Sequence, residues 1–327
     1  MFNVRQWPGL VGVVAVSLLF FGLMSLPVQA GGKRQVVLIA AEGLSIDDIN
    51  AANMPFLFAL ARRAASGLMN PKTAAGYSRE NAYITLGAGR PAVAGRDGGL
   101  ALGAGRELGG MAVARIYRAR TGKNVANSSI VFLKLQDARE ANVRQKSYAM
   151  PGLLGETLEQ NGLIAAVIGN SDLLGEYHRE AVAMVMDRWG RVAKGNVSRE
   201  MLTAGETLLW RTDFEKLYRE TLKYGDSDLL LVETGDLTRL ELVKEDTLPR
   251  IWRRERKQAL TRIDEFSRRI MEAPAFQGAV FVVFSHQPSR DALAVKNFFT
   301  PVMVAGTGLQ GMLTSSTTRR PGIVTAT

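Results

Sequence analysis

Val36 to Gly43 reads VVLIAAEG, six apolar residues followed at once by an acid and a glycine. A run of that length without alternation suits a strand buried on both faces, as inside a parallel sheet. Working outward, LIAAVIG (Leu163 to Gly169), DLLLVE (Asp228 to Glu233), GAVFVVFS (Gly278 to Ser285) and TPVMVAG (Thr300 to Gly306) read as further strands. Helical patterns separate them: Asn53 to Ser66, Pro151 to Asn161, Ser198 to Tyr224 and the arginine-rich Thr247 to Glu272. Ala181 to Met186 reads as one more strand, with Asp187 to Lys194 a polar turn. Strands alternating with helices predict an α/β fold, a mostly parallel sheet sandwiched by helices.

The chain of 327 residues is long enough for one large α/β domain or two smaller ones. It has no cysteine, which excludes disulfides and thiolate metal sites. A net charge of +10 suits anionic surroundings such as phospholipid headgroups or an anionic envelope polymer. The arginines are scattered through helical segments and no nucleic-acid motif is present, so nucleic acid is not the expected partner. Residues 1–30 carry Arg5, an apolar run from Leu10 to Leu26 and Val28-Gln29-Ala30, a small-x-small sequence. That pattern predicts a signal peptide, or an uncleaved N-terminal anchor with membrane association, and an exported domain over residues 31–327.

Asn70 to Pro91 reads NPKTAAGYSRENAYITLGAGRP, turn-formers and then a helix start. Ser78 is placed to cap that helix by accepting from the amide of Asn81, with Glu80 in its first turn. A hydroxyl at a helix N-terminus also sits where a phosphate or sulfate would be drawn. Gly87 to Gly110 is glycine-rich; its GAGREL lacks the lysine and Ser/Thr of a phosphate loop. It reads as a mobile loop or the base of an inserted cap spanning residues 88–150.

Open α/β sheets place ligands at the carboxyl ends of their strands. There the sequence sets Glu42 after the first strand, Glu233 then Thr234-Gly235-Asp236 after another, and His286-Gln287 after a third. With Ser78, such carboxylates, imidazole and hydroxyl would make a hard-ligand site for a divalent cation. Singly, Glu42 reads as a helix cap, Asp236 as a turn residue and His286 as a loop histidine. His178, in GEYHREA, reads as a surface residue, and Asp172 as a turn.

From Val36 onward, outside residues 87–150, the chain resembles the alkaline phosphatase superfamily of phospho- and sulfo-ester hydrolases. VVLIAAEG is similar to that family's first strand and acid, and MPFLFALARRAASG (Met54 to Gly67) to its PNLxxLxxxG helix. SRENAY (Ser78 to Tyr83) follows the spacing of its nucleophile turn. FSHQ (Phe284 to Gln287) resembles its SDH strand end, and Thr300 to Gly308 its closing glycine strand. RRPGIVTAT resembles the approach to a later family element, which implies a C-terminally truncated sequence. The resemblance implies an alkaline phosphatase-like α/β/α core acting on an anionic phosphate or sulfate ester, as hydrolase or transferase. It implies Ser78 as nucleophile, Asn81 and Arg79 holding the transferred group's oxygens, and Glu42, Ser78, Asp236 and His286 as metal ligands. The cofactor would be Mn, Mg or Zn, activating Ser78 for a double displacement.

The departures point the other way. Two-zinc members need several histidines, and this chain has only His178 and His286. Leu240 stands four residues after Asp236, and Gln287 follows His286 where the family pairs Asp with His. One ion is therefore expected rather than two. The competing reading is a non-catalytic domain, degenerate at its metal site, that binds an anionic envelope ligand or partner. Convergence of Glu42, Ser78, Asp236 and His286 within ligand reach separates the two.

Overall fold

The computed structural model describes residues 35–173, 175–205, 210–306 and 308–326, and the targeting-like residues 1–30 lie outside these. Among the described residues the main sheet has nine strands. They are β1 (Val36–Ala40), β2 (Ala65–Asn70), β3 (Ala165–Ile168), β4 (Lys194–Asn196), β5 (Leu229–Glu233), β6 (Val280–Phe284), β7 (Thr300–Ala305), β8 (Gly311–Met312) and β9 (Ile323–Thr325). The order across the sheet is β8-β2-β7-β6-β1-β5-β3-β4, with β9 also pairing β2. β1 runs parallel to both β5 and β6, and β5-β3-β4 continue parallel. Only β7, between β6 and β2, runs against its neighbours among the described pairs. The architecture is the α/β sandwich that the apolar runs predict.

Alternation within each strand divides the interior into two layers. Val37 and Ile39 of β1, with Leu230 and Val232 of β5, face one helical layer; Leu38 and Ala40, with Leu229 and Leu231, face the other. The first layer contains α1 (Pro55–Ala61), α3 (Asp236–Leu242) and α4 (Pro249–Glu272), packed through Leu57, Leu240 and Phe266. The second contains α2 (Arg79–Ala88), packed through Tyr83, Ile84 and Ala88. Burying such a side chain contributes about 1.5–3 kcal/mol, so the two-sided sheet is the principal source of stability. Among the described residues no helix is long and apolar enough to cross a membrane.

Several segments differ from the sequence expectation, each for a long-range reason. The helix expected over Asn53 to Ser66 ends at Ala61, because Ala65–Asn70 is drawn into the sheet beside β7. Its first amides are capped not by Asn53 but by the Asp264 carboxylate of α4, which accepts from Phe56 N and Leu57 N at 3.0 and 2.8 Å. Among the described residues of Ser198 to Tyr224 only Phe214–Lys223 is an α-helix; Leu202–Ala204 and Trp210–Thr212 pair as an antiparallel ribbon ahead of it. Asp213 caps that helix through Lys216 N. Ala181 to Met186 is not a strand: Val182–Val185 forms one buried helical turn. A short apolar run buried on every side carries no period to separate the two.

Within residues 88–150, Ala101–Gly103 and Ile130–Phe132 form a small sheet with Arg191–Val192, and two helices follow, Val113–Thr121 and Leu135–Arg144. Of the glycine-rich stretch, Gly87 and Ala88 close α2, Ala101–Gly103 and Glu107–Leu108 are short strands, and the rest is loop and turn. One of its glycines sets a packing distance. A Cβ on Gly87 would lie 2.5 Å from the Met184 carbonyl oxygen and 2.8 Å from that of Ala183. α2 and the Val182–Val185 turn thus meet backbone to backbone. Gly87→Ala is expected to destabilise by about 1–3 kcal/mol through overpacking. In a thermal melt that is a fall of roughly 2–10 °C; an unchanged midpoint would contradict the close approach.

Candidate functional site

The register of three parallel strands builds the site. Ala40 is level with Glu233 of β5 on one side and Phe284 of β6 on the other. Glu42, Glu233 and His286 therefore emerge at one end of the sheet, close together although far apart in sequence. Gly235 makes the turn into α3 with φ +71°, and a Cβ there would lie 2.3 Å from the Asn170 carbonyl oxygen. Only glycine meets both requirements. Onto this floor α2 lowers Arg79 from its first turn.

Arg79 is almost wholly buried. Its Nη2 donates to Glu180 Oε1 at 3.1 Å and meets His178 Nδ1 at 2.9 Å. Its Nε lies 3.9 Å from Glu42 Oε2. Burial works to strip the proton from this guanidinium; Glu180 and Glu42 together outweigh it and hold the charge more firmly than usual. Burial likewise opposes the charge on Glu180, but Arg79 and His178 overcome it, so its carboxyl ionises below the usual range. His178 holds its proton above the ordinary histidine range, since the hydrogen bond and charge of Glu180 outweigh burial.

The other two carboxyls behave oppositely. Burial pushes Glu42 up to about 7, against the pull of Arg79 and a 2.9 Å hydrogen bond from Thr238 Oγ1. Burial, with the charge of Glu180 added, pushes Glu233 up to about 8; Ser171 Oγ donates to its Oε1 at 2.6 Å. His286 is fully buried, its ring packed against Tyr83 at a 31° tilt with centroids 3.8 Å apart. Burial and the neighbouring Arg79 push it down to about 3, so it is neutral. Its Nε2 lies 3.7 Å from Glu42 Oε2, too far for a hydrogen bond, and with a neutral ring this is no ion pair. Neither ring nitrogen has a hydrogen-bond partner, nor has the Tyr83 hydroxyl.

Three of the residues expected at the site are committed elsewhere or differently. Asp236 is fully buried, its Oδ1 accepting from Thr212 N at 2.7 Å and Arg239 Nη2 at 2.9 Å, and its Oδ2 from Arg262 Nη2 at 3.0 Å. It ties the Trp210–Thr212 strand to α3 and α4 and is not turned toward Glu42 as a ligand. Asn81 accepts from Ala94 N at 2.9 Å and donates to the Ala75 carbonyl at 3.3 Å, closing the turn instead of offering its amide to a ligand. Arg79 faces carboxylates, which removes it from the role of holding substrate oxygens. Ser78 caps α2 as expected, accepting from Asn81 N at 3.3 Å, and is half-buried. The structure brings together Glu42, Arg79 and His286. It adds Glu180 and Glu233, and it makes His178 part of the site, not a surface residue.

A divalent ion does not fit this donor set. Among the described residues no three His, Asp or Glu side chains are grouped to hold a metal. Glu42 and His286 approach one another, but a buried guanidinium lies beside them and would repel a second cation. A low dielectric makes that repulsion strong.

No family model and no curated protein matches the chain. Solved structures do. It is similar to the PH0037 protein of Pyrococcus horikoshii at 14% identity and TM-score 0.48, covering 90% of this chain and 93% of that one. A protein in the alkaline phosphatase superfamily from Vibrio parahaemolyticus matches at 13% identity and TM-score 0.48, with 86% and 62% covered. The lipoteichoic acid synthase LtaP of Listeria monocytogenes matches at 12% identity and TM-score 0.44, with 93% and 72% covered. The chain spans 62% of the Vibrio chain's length.

Two outcomes test the site. Asp236→Asn leaves Arg239 and Arg262 without their counter-charge and is expected to destabilise by about 3–5 kcal/mol in denaturant unfolding; a loss under 1 kcal/mol would contradict the buried pairing. The raised carboxyls make the second. Folded Glu42 and Glu233 bind protons more tightly than they do unfolded, so stability must fall as pH rises from about 4.5 through about 7 and 8. His286, lowered to about 3, contributes the opposite slope, but only below its ordinary value of 6.5. Above that His178, whose proton is held more firmly in the folded state, adds to the carboxyls' decline. Glu233→Gln should flatten the decline between pH 6.5 and 8; an unaltered slope would contradict the assignment.

Proposed function

We propose that this chain is a non-hydrolytic α/β domain, exported by its N-terminal segment, that binds an anionic ligand of the cell envelope. The observation that carries the reading is the commitment of Asp236. Metal-assisted ester cleavage by a Ser78 alkoxide would need Asp236, Glu42 and His286 to share one ion. Oδ1 of Asp236 instead accepts from the buried Arg239 and the Thr212 amide, and Oδ2 from the half-buried Arg262. A serine with neither base nor metal is a weak nucleophile. Ser78 then serves α2 as a cap, and Asn81 serves the turn.

The preference for an anionic ligand rests on charge. The chain carries +10, and Arg115, Arg118 and Arg120 on one helix and Arg250, Arg253 and Lys257 on α4 are exposed. Such a surface attracts polyanions at long range and loses that attraction in salt.

Aryl phosphate monoesters, diesters and sulfates offered with manganese, magnesium or zinc are expected to turn over no faster than with Ser78→Ala. The purified protein should carry no stoichiometric metal, and EDTA should leave its melting temperature unchanged. Turnover that is lost with Ser78→Ala or EDTA would overturn the reading.

A further inference from the structure

The geometry points to the Arg79 guanidinium as the built-in cation of the strand-end centre, the counter-charge that the chain itself supplies to Glu180 and Glu42. The inference rests on the metal-free reading of the site.

Two carboxyls meet the guanidinium there, Glu180 from the connection after β3 at 3.1 Å and Glu42 from the end of β1 at 3.9 Å, with Glu233 at the end of the adjacent strand. Like charges in a desolvated pocket oppose one another, and each needs either a proton or a counter-charge. Arg79 provides the counter-charge. Its Nη2 contacts Glu180 and His178, and its Nε turns to Glu42.

Two features set this apart from an ordinary ion pair. Arg79 occupies the first turn of α2, the end of a helix where a positive charge is electrostatically disfavoured. Helix formation therefore does not explain its place; the carboxyls do. Secondly, hydrogen bonding around it is incomplete. Arg79 Nε, Glu180 Oε2 and Glu233 Oε2 are buried without partners. What holds the cluster is charge at a point, and charge is transferable to another cation of suitable size.

The test is chemical rescue. Arg79→Ala should lower the melting temperature by about 5–15 °C, as loss of one partner of a buried pair does. Millimolar guanidinium chloride should restore part of that loss, and the same concentration of sodium chloride should not. Arg79→Gln with an unchanged melting temperature, or Arg79→Ala unresponsive to guanidinium, would overturn the inference. If Arg79→Ala does not fold, the pair is tested by Arg79→Met with Glu180→Met. The double variant should melt above either single one, and a double variant at the sum of the two losses would overturn the inference. Ester turnover by wild type would defeat the non-hydrolytic reading while leaving the rescue result standing, so the two failures are distinguishable.

Discussion

A single buried contact, Arg79 against Glu180 at 3.1 Å, governs the chemistry at the end of the sheet. Both groups are removed from water, and neither could keep its charge there alone. Together they fix each other's ionisation, and His178 is drawn into the same arrangement. Burial makes Glu42 and Glu233 hold their protons more tightly than ordinary glutamates, and the pull of Arg79 is too weak to reverse it. Replacing such a pair with apolar residues is often neutral, so its contribution lies in specifying geometry more than in stability.

That contact exists because of backbone register. Parallel pairing of β5, β1 and β6 ends all three strands at one level, and the apolar interior on both faces locks the pairing. A slip of one residue would exchange the two faces of every strand. α2 is held to the same end by the backbone contact at Gly87. Asp236 lies one turn beyond the site yet belongs to a second buried network, with Arg239, Arg262 and Thr212. Two neighbouring carboxylates thus have unlike tasks, and the difference is which cations their elements bring.

The sheet was legible in the sequence because buried parallel strands write themselves as unbroken apolar runs. VVLIAAEG, DLLLVE and GAVFVVFS fall on β1, β5 and β6 with their ends displaced by a residue or two. The strand-end placement of Glu42 and His286 followed from the same runs. What side chains do at those ends did not follow. Nothing local in Ser78 to Tyr83 says that Arg79 turns inward or that Asn81 is consumed by Ala94, since both partners lie outside the motif. His178 and Glu180 were readable only as a histidine and an acid two residues apart, following a strand that was itself visible. Ala181 to Met186 and the first half of Ser198 to Tyr224 were misread for a related reason: their conformations are set by α2 and by Asp236, not by their own periodicity.

The most direct measurement is a crystal structure grown in excess manganese, with an anomalous difference map. The account predicts the Arg79 guanidinium between Glu42 and Glu180 and no anomalous peak at the strand ends. A peak at about 2.0–2.2 Å from Glu42 and His286, with Arg79 swung away, would contradict it.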